Sequence, residues 1–222
     1  MANHLYYPAE VIIVDEAARE LQRPIGRIAG KNVPTDTVSL ARFLLGKVLV
    51  REIAGAPLIG RIVETEAYLP GDPACHGFRG VTPRNRSLFL DCGHAYVYLC
   101  YGSSHLLNVS SEINGIGAGV LLRALEPLHG IDQMQQARSR ARLLDLARGP
   151  GRLTAALRVD RRHDGMHLFN GGQLWIGSDG YRAAAIGASV RIGISKAADE
   201  RLRYFVAGSR YLSGPRMLNM SS

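Results

Sequence analysis

A succession of β-prone runs, broken by glycine, proline and short helical stretches, is what most limits how this chain can fold. Residues 47–53 and 58–68 read as two strands joined by the turn Ala54-Gly55-Ala56-Pro57. Residues 95–101 and 106–110 form a hairpin across Gly102-Ser103-Ser104-His105. Residues 119–125, 173–177, 189–194 and 203–207 extend a mostly antiparallel sheet. Helices are predicted between some of these runs. Asp36 can N-cap a helix over residues 37–45, with Leu40, Phe43 and Leu44 as its core stripe and Gly46 ending it. Residues 131–146 read as a longer helix with Met134 and Ala141 inward, and residues 152–157 as a short one. Strands in runs with intervening helices place the chain in the mixed α/β (α+β) class. Its 222 residues suit a single domain over residues 34–216. The first 33 residues carry no sustained periodicity and read as an N-terminal arm or extension. No Rossmann or P-loop fingerprint occurs, so nucleotide-cofactor chemistry has no support.

Charge narrows the partner. The formal net charge is +8, which suits a polyanion such as nucleic acid, although arginine-rich coding bias could produce the same excess. Lysine occurs only at Lys31, Lys47 and Lys196, so the placement of arginines matters more than their number. Arg79, Arg84 and Arg86 crowd one Gly/Pro-broken loop over residues 70–85 and its end. A longer basic stretch from Arg138 to Arg162 is either a binding face or the solvated side of a helix and its loop. Cys75, Cys92 and Cys100 are odd in number and lack Cys-x-x-Cys spacing, so neither a disulfide framework nor a zinc site is expected. No apolar stretch is long enough to span a membrane and no signal peptide opens the chain. The expected compartment is the cytoplasm, with nucleoid association in a bacterium or a nuclear location in a eukaryote.

The chemistry concentrates on residues 58–68. Alternation puts Ile62, Glu64, Glu66 and Tyr68 on one face and Arg61, Val63, Thr65 and Ala67 on the other. Two carboxylates two residues apart can shift each other's proton affinity, as acid–base work requires; an exposed strand face is the plain alternative. In the hairpin, parity separates Tyr98 from Tyr101, so Tyr98 can line a pocket while Tyr101 projects beside the turn. An aromatic at an exposed tip can stack on a base, whereas most tyrosine-rich strands simply pack a core. Arg123 sits in the apolar run Val120-Leu121-Leu122-Arg123-Ala124-Leu125, and a buried guanidinium needs an anion. The Glu64/Glu66 face is its natural partner. Asn108, on the returning strand, is either a turn-supporting amide or a pocket contact.

Several motifs in order resemble the alkyladenine (3-methyladenine) DNA glycosylase family. They are Arg61-Ile62-Val63-Glu64-Thr65-Glu66-Ala67-Tyr68, Thr82-Pro83-Arg84-Asn85-Arg86, Tyr96-Val97-Tyr98 with Tyr101-Gly102, Asn108-Val109-Ser110-Ser111 and the run from Val120 to Leu128. Gly149-Pro150-Gly151-Arg152-Leu153, Arg191-Ile192-Gly193-Ile194 and Arg203-Tyr204-Phe205-Val206 continue the likeness, which spans about residues 36 to 210. The resemblance implies a single domain with a curved, mostly antiparallel sheet, flanking helices and a protruding hairpin that enters DNA. It implies Glu66 as general base, with Arg123 and the Ile192 carbonyl helping to hold its water. Tyr68, His76 and Tyr98 would sandwich an extruded base, Asn108 would exclude normal guanine, and Tyr101 would fill the gap in the duplex. Arg79, Arg84 and Arg86 would contact the DNA backbone. Neither metal nor organic cofactor is implied, and the expected partner is double-stranded DNA containing damaged purines, bound by a monomer. The segment from Gly102 to Leu107 is smaller and less aromatic than the family pattern after the wedge tyrosine, and residues 77–80 also vary.

Two other readings compete. A glycoside hydrolase could use Glu64 and Glu66 as its carboxylate pair, since same-face strand neighbours lie roughly 7 Å apart. That reading predicts sugar-binding aromatics, yet Trp175 is the one tryptophan. A module of the same fold could also bind damaged duplex without cutting it.

Overall fold

The computed structural model describes residues 24–54 and 56–220. Strand β3 (Leu58–Tyr68) runs through its middle and is buried along its length except at Tyr68. Such a strand tolerates only apolar side chains or polar ones paired internally, and its sequence supplies both. Three strands pair with it, all antiparallel. β6 (Gly119–His129) follows one edge along nearly the whole length. On the other edge β2 (Val48–Arg51) takes the first part, and β9 (Arg203–Val206) takes Glu64–Glu66.

The sheet grows outward from these. β7 (Leu174–Ser178) and β1 (Gly26–Arg27) lie beyond β2, β5 (Ser104–Ser110) and β4 (Ala95–Cys100) lie beyond β6, and β8 (Ile186–Ser189) flanks β9. Among the described residues this gives an open nine-stranded antiparallel sheet with three α-helices, a mixed α/β single domain. α1 (Thr37–Leu44) starts where the Asp36 carboxylate accepts the Ser39 N–H, and it buries Leu40, Ala41 and Leu44. The Thr65 hydroxyl donates to the Ala41 carbonyl and seats that helix on β3. α3 (Pro150–Ala156) uses proline in its first turn, where a missing N–H costs nothing, and inserts Leu153 and Ala156 into the same core.

Several sequence expectations change. The alternation on β3 is interrupted: the register with β6 shifts between Ile62 and Glu64, so Ile62 and Val63 both join the main core. Arg61 keeps its own face, where it makes two hydrogen bonds to Asp179 and stacks 4.1 Å from the Tyr181 ring centroid. The predicted helix over 131–146 ends early, as α2 (Ile131–Ala137). Ser139 and Arg140 take positive φ, and the Arg138 guanidinium donates back to the Asp145 and Leu146 carbonyls, which closes a compact turn instead. The strand expected at 189–194 lies at Ile186–Ser189; beyond it Arg191 donates to the Ala67 carbonyl and pairs with Asp72 instead of continuing the ladder. β6 runs on past Leu125 through Pro127, which is tolerated because β5 pairs only with Gly119–Leu121. Of the expected arm, β1 pairs with β7 and Arg27 lies over Trp175, while residues 1–23 fall outside the described residues. The turn between β2 and β3 includes Gly55, also outside them.

The loop after β3 is pinned by close backbone contact. A Cβ on Gly77 would sit 2.3 Å from the Gly117 carbonyl oxygen and 2.8 Å from its Cα. Only glycine fits there without moving main chain. Gly77→Ala is therefore expected to lower stability by about 1–3 kcal/mol, read as a lower urea midpoint at unchanged slope. An unshifted midpoint would mean that the Gly117 backbone yields freely.

Candidate active site

Glu64 and Glu66 are both fully buried on β3, and β6 and β9 bring a guanidinium to each side of them. Arg123 bridges the pair, with Nε 3.2 Å from Glu64 Oε1 and Nη1 3.2 Å from Glu66 Oε2. This is the internal pairing expected for an arginine set among leucines. Arg203 approaches Glu64 from β9, with Nε 2.6 Å from Oε1. Ser213 completes the shell: its N–H donates to Glu64 Oε2 at 2.7 Å and its hydroxyl to Oε1 at 2.9 Å.

The two carboxylates differ in their partners. A carboxylate has about four lone-pair sites. Glu64 accepts four donors, three on Oε1 from Arg123, Arg203 and the Ser213 hydroxyl and one on Oε2 from the Ser213 N–H. Glu66 accepts three: the Ile192 N–H on Oε1 at 2.7 Å, and the Tyr68 hydroxyl at 2.9 Å with Arg123 on Oε2. Glu64 is tied to the segment after β9 through Arg203 and Ser213, and Glu66 is not.

Tyr68, Arg123 and Ile192, the three partners of Glu66, all border a cavity of about 660 Å³. The carboxylate thus lies directly behind the cavity wall. Tyr68 is clamped between Glu66 and the guanidinium of Arg191, which sits 4.7 Å from its ring centroid, donates to the Ala67 carbonyl and pairs with Asp72. Burial, then the Glu66 charge, pushes the Tyr68 phenol well above its ordinary range, so it stays a donor. Across the cavity, Tyr96 and Tyr98 stack with centroids 5.2 Å apart, and the His76 ring meets Tyr98 edge-on at 4.5 Å. His76 Nδ1 lies 2.9 Å from the Tyr96 hydroxyl. Partial burial, then the Arg84 charge, lowers the imidazole pKa and keeps that ring neutral at pH 7. Burial likewise pushes the Tyr96 phenol up to about 12. Asn108 also lines the cavity; its amide donates to the Tyr96 carbonyl at 3.2 Å, so it serves the hairpin and the pocket together.

At the hairpin tip the Ser103 N–H donates to the Cys100 carbonyl, and the central residues of that turn, Tyr101 and Gly102, both have positive φ. Tyr101 is therefore a turn residue, not the last residue of a strand, and strand parity does not set its direction. Its ring is 96% exposed. A tyrosine held left-handed costs on the order of 1 kcal/mol, a local strain at the cavity mouth. Arg84 braces the tip by donating to the Leu99 carbonyl at 3.0 Å, and its guanidinium lies 5.7 Å from the Tyr98 ring centroid. Arg79 and Arg86 are exposed nearby. Much of the second basic stretch is committed internally: Arg142 and Arg152 pair with Asp145, Arg162 with Asp160, and Arg148 donates to the Leu212 carbonyl.

Sequence reasoning missed Arg203, Ser213, Tyr96 and the Arg191–Asp72 pair. Arg203 carries the same signal as Arg123, a lone arginine in a β-prone apolar run, and could have been found by it. Ser213 sits in an irregular segment with no pattern to mark it. Arg203 also donates to Ser189, to the Ser213 and Leu218 carbonyls and to Asn219, so its removal strands both Glu64 and the segment after β9. Arg203→Met is expected to destabilise the protein by on the order of 3 kcal/mol in urea unfolding. An unchanged midpoint would mean that Arg123 and Ser213 compensate Glu64 unaided.

Comparison with known proteins places the chain in a family. Residues 31–210 match the family described as methylpurine-DNA glycosylase (MPG). A Mesorhizobium japonicum protein named “Putative 3-methyladenine DNA glycosylase” is 60% identical over 191 residues, covering 86% of this chain and 92% of the relative. Proteins of the same name from Paraburkholderia phytofirmans (48% identity over 200 residues, 90% and 94% coverage) and Methanoculleus marisnigri (47% over 184 residues, 80% and 94%) extend the similarity. The chain belongs to the methylpurine-DNA glycosylase family.

Proposed function

We propose that this chain is a monofunctional DNA glycosylase, an enzyme that turns a damaged purine out of duplex DNA and hydrolyses its N-glycosidic bond. The substrates are alkylated or deaminated purines of the 3-methyladenine, 7-methylguanine, hypoxanthine and ethenoadenine class. The observation that carries this reading is the asymmetry of the two buried carboxylates beside an aromatic-walled cavity. A glycosidic bond inside stacked duplex is out of reach, so the nucleotide must be extruded and its place filled. Tyr101, exposed and strained at the tip, fills that place. Tyr68, His76 and Tyr98 receive the base; their π faces favour electron-poor purines, and Asn108 rejects the exocyclic amino group of guanine.

In the chemical step the C1′–N bond breaks and its electron pair leaves with the base. Water adds to C1′, and Glu66 takes the proton while its charge stabilises the cationic sugar. Arg123 and the Ile192 carbonyl position that water. The products are free base and an abasic site, the start of base excision repair. Arg79, Arg84 and Arg86 contact the phosphates and supply affinity without sequence preference. One pocket and one wedge serve one duplex, so a monomer suffices. The carboxylate-pair glycoside hydrolase loses support, because Arg203 and Ser213 hold Glu64 away from the cavity and Arg123 bonds to both acids.

The test is release of base from a hypoxanthine-containing duplex and from methylated DNA, scored as free purine and alkali-labile sites. Glu66→Gln is expected to lower release by roughly 10²–10⁴-fold while lesion binding persists. If Glu64→Gln is the inert variant and Glu66→Gln turns over normally, the general base is misassigned. Binding without release from any damaged purine would identify a non-catalytic binding module instead. Separately, Tyr101→Ala is expected to weaken affinity for lesion duplex and slow turnover; wild-type values for both would remove the wedge role.

A further inference from the structure

A second cavity, of about 410 Å³, adjoins the first, and Cys75, His76, Arg84 and Tyr96 form part of the wall of both. Three cations line it, Arg79, Arg84 and Lys196, and no carboxylate does. Arg79 and Lys196 are exposed and make no hydrogen bond or ion pair with any described residue. They differ in this from Arg142, Arg152 and Arg162, each matched to an acid. Like charges gathered round one hollow repel each other until an anion enters. The loop that presents Arg79 and Arg84 needs no ligand to keep its shape. Asn85 spends its amide on the His76 and Gly80 carbonyls and its oxygen on the Thr82 N–H and hydroxyl. Phe78, 50% exposed, adds an apolar edge suited to a sugar face.

We propose that this second cavity is a phosphate subsite for the strand that carries the flipped nucleotide, with Arg79 and Lys196 as its main ligands. The inference rests on the glycosylase reading and extends it to a residue, Lys196, outside the basic loop. The shared His76 wall sets the scale: the phosphate belongs to a linkage next to or near the extruded nucleotide. The subsite also joins two segments that serve the reaction centre. Arg79 belongs to the His76 loop, and Lys196 follows Ile192, whose N–H holds Glu66. A phosphate seated between them places the duplex in register with the base slot.

The experiment uses the full chain and a duplex bearing one abasic-site analogue, with neutral methylphosphonates replacing single phosphates on the lesion strand, one position per duplex. For wild type, one position near the lesion is expected to cost about fivefold or more in affinity, the effect of losing a doubly contacted phosphate. In Arg79→Ala/Lys196→Ala that same position should cost less than about twofold, while other sensitive positions keep their penalties, and the slope of log affinity against log salt should fall by about 1. An unchanged pattern of penalties, or a loss spread evenly over all positions, overturns the subsite. Base release by wild type from the hypoxanthine duplex is measured alongside. If it is absent the glycosylase reading fails; if it is present without the position-specific coupling, only the subsite fails. Thermal unfolding of the double variant at the wild-type temperature separates lost contacts from lost fold.

Discussion

Arg123 is shared between two fully buried carboxylates, and much of the molecule is arranged around that fact. Removing charged groups from water costs several kcal/mol each, and the cost is recovered only when every lone pair and every N–H finds a partner. Here the partners come from far apart in the chain. Glu64 and Glu66 lie on β3, Arg123 on β6, Arg203 on β9, and Ser213 beyond it. Each depends on the others, because withdrawing one leaves a buried charge uncompensated. The same arrangement makes the two acids unequal. Arg203 and Ser213 tie Glu64 to the segment after β9, whereas all three partners of Glu66 border the cavity.

Much of this was legible in the sequence. The β-prone runs, the Asp36-capped helix and the hairpin appear where turn residues and apolar spacing put them. Arg123 among leucines announced a buried ion pair because a guanidinium in such a run has few other ways to exist. What local pattern could not show was decided by tertiary contacts. The bulge at Val63 breaks the period of two that the alternation relied on. The helix expected at 131–146 stops at Ala137 because side-chain-to-carbonyl bonds from Arg138 and Gln135 stabilise a turn. The departure of the chain from the sheet after Ser189, which delivers Ile192 to Glu66, accompanies the contacts of Arg191 with Ala67 and Asp72, 124 and 119 positions away in sequence.

The aromatic cavity follows a similar division. Tyr68, Tyr98, His76 and Asn108 are separated by up to 40 positions in sequence yet border one space, and family likeness picked them out. Tyr96 escaped notice as one more strand tyrosine, although it stacks on Tyr98, lies within hydrogen-bond distance of His76 and accepts from Asn108 through its carbonyl. It organises the slot from behind. The tyrosine at the tip is the opposite case: conspicuous in sequence, but held by a turn with two left-handed residues that strand parity could not anticipate.

The long reach of the Glu64 contacts also has a meaning in time. Arg203 and Ser213 lie 139 and 149 positions after Glu64. At a synthesis rate of about 5–20 residues per second, Glu64 is made roughly 7–30 s before its last partner. Throughout that interval Glu64 lacks the two donors that Ser213 supplies. The Glu64 ion pair is therefore among the last parts of the molecule to be completed, and a nascent chain halted before Ser213 would leave this buried acid without two of its four donors.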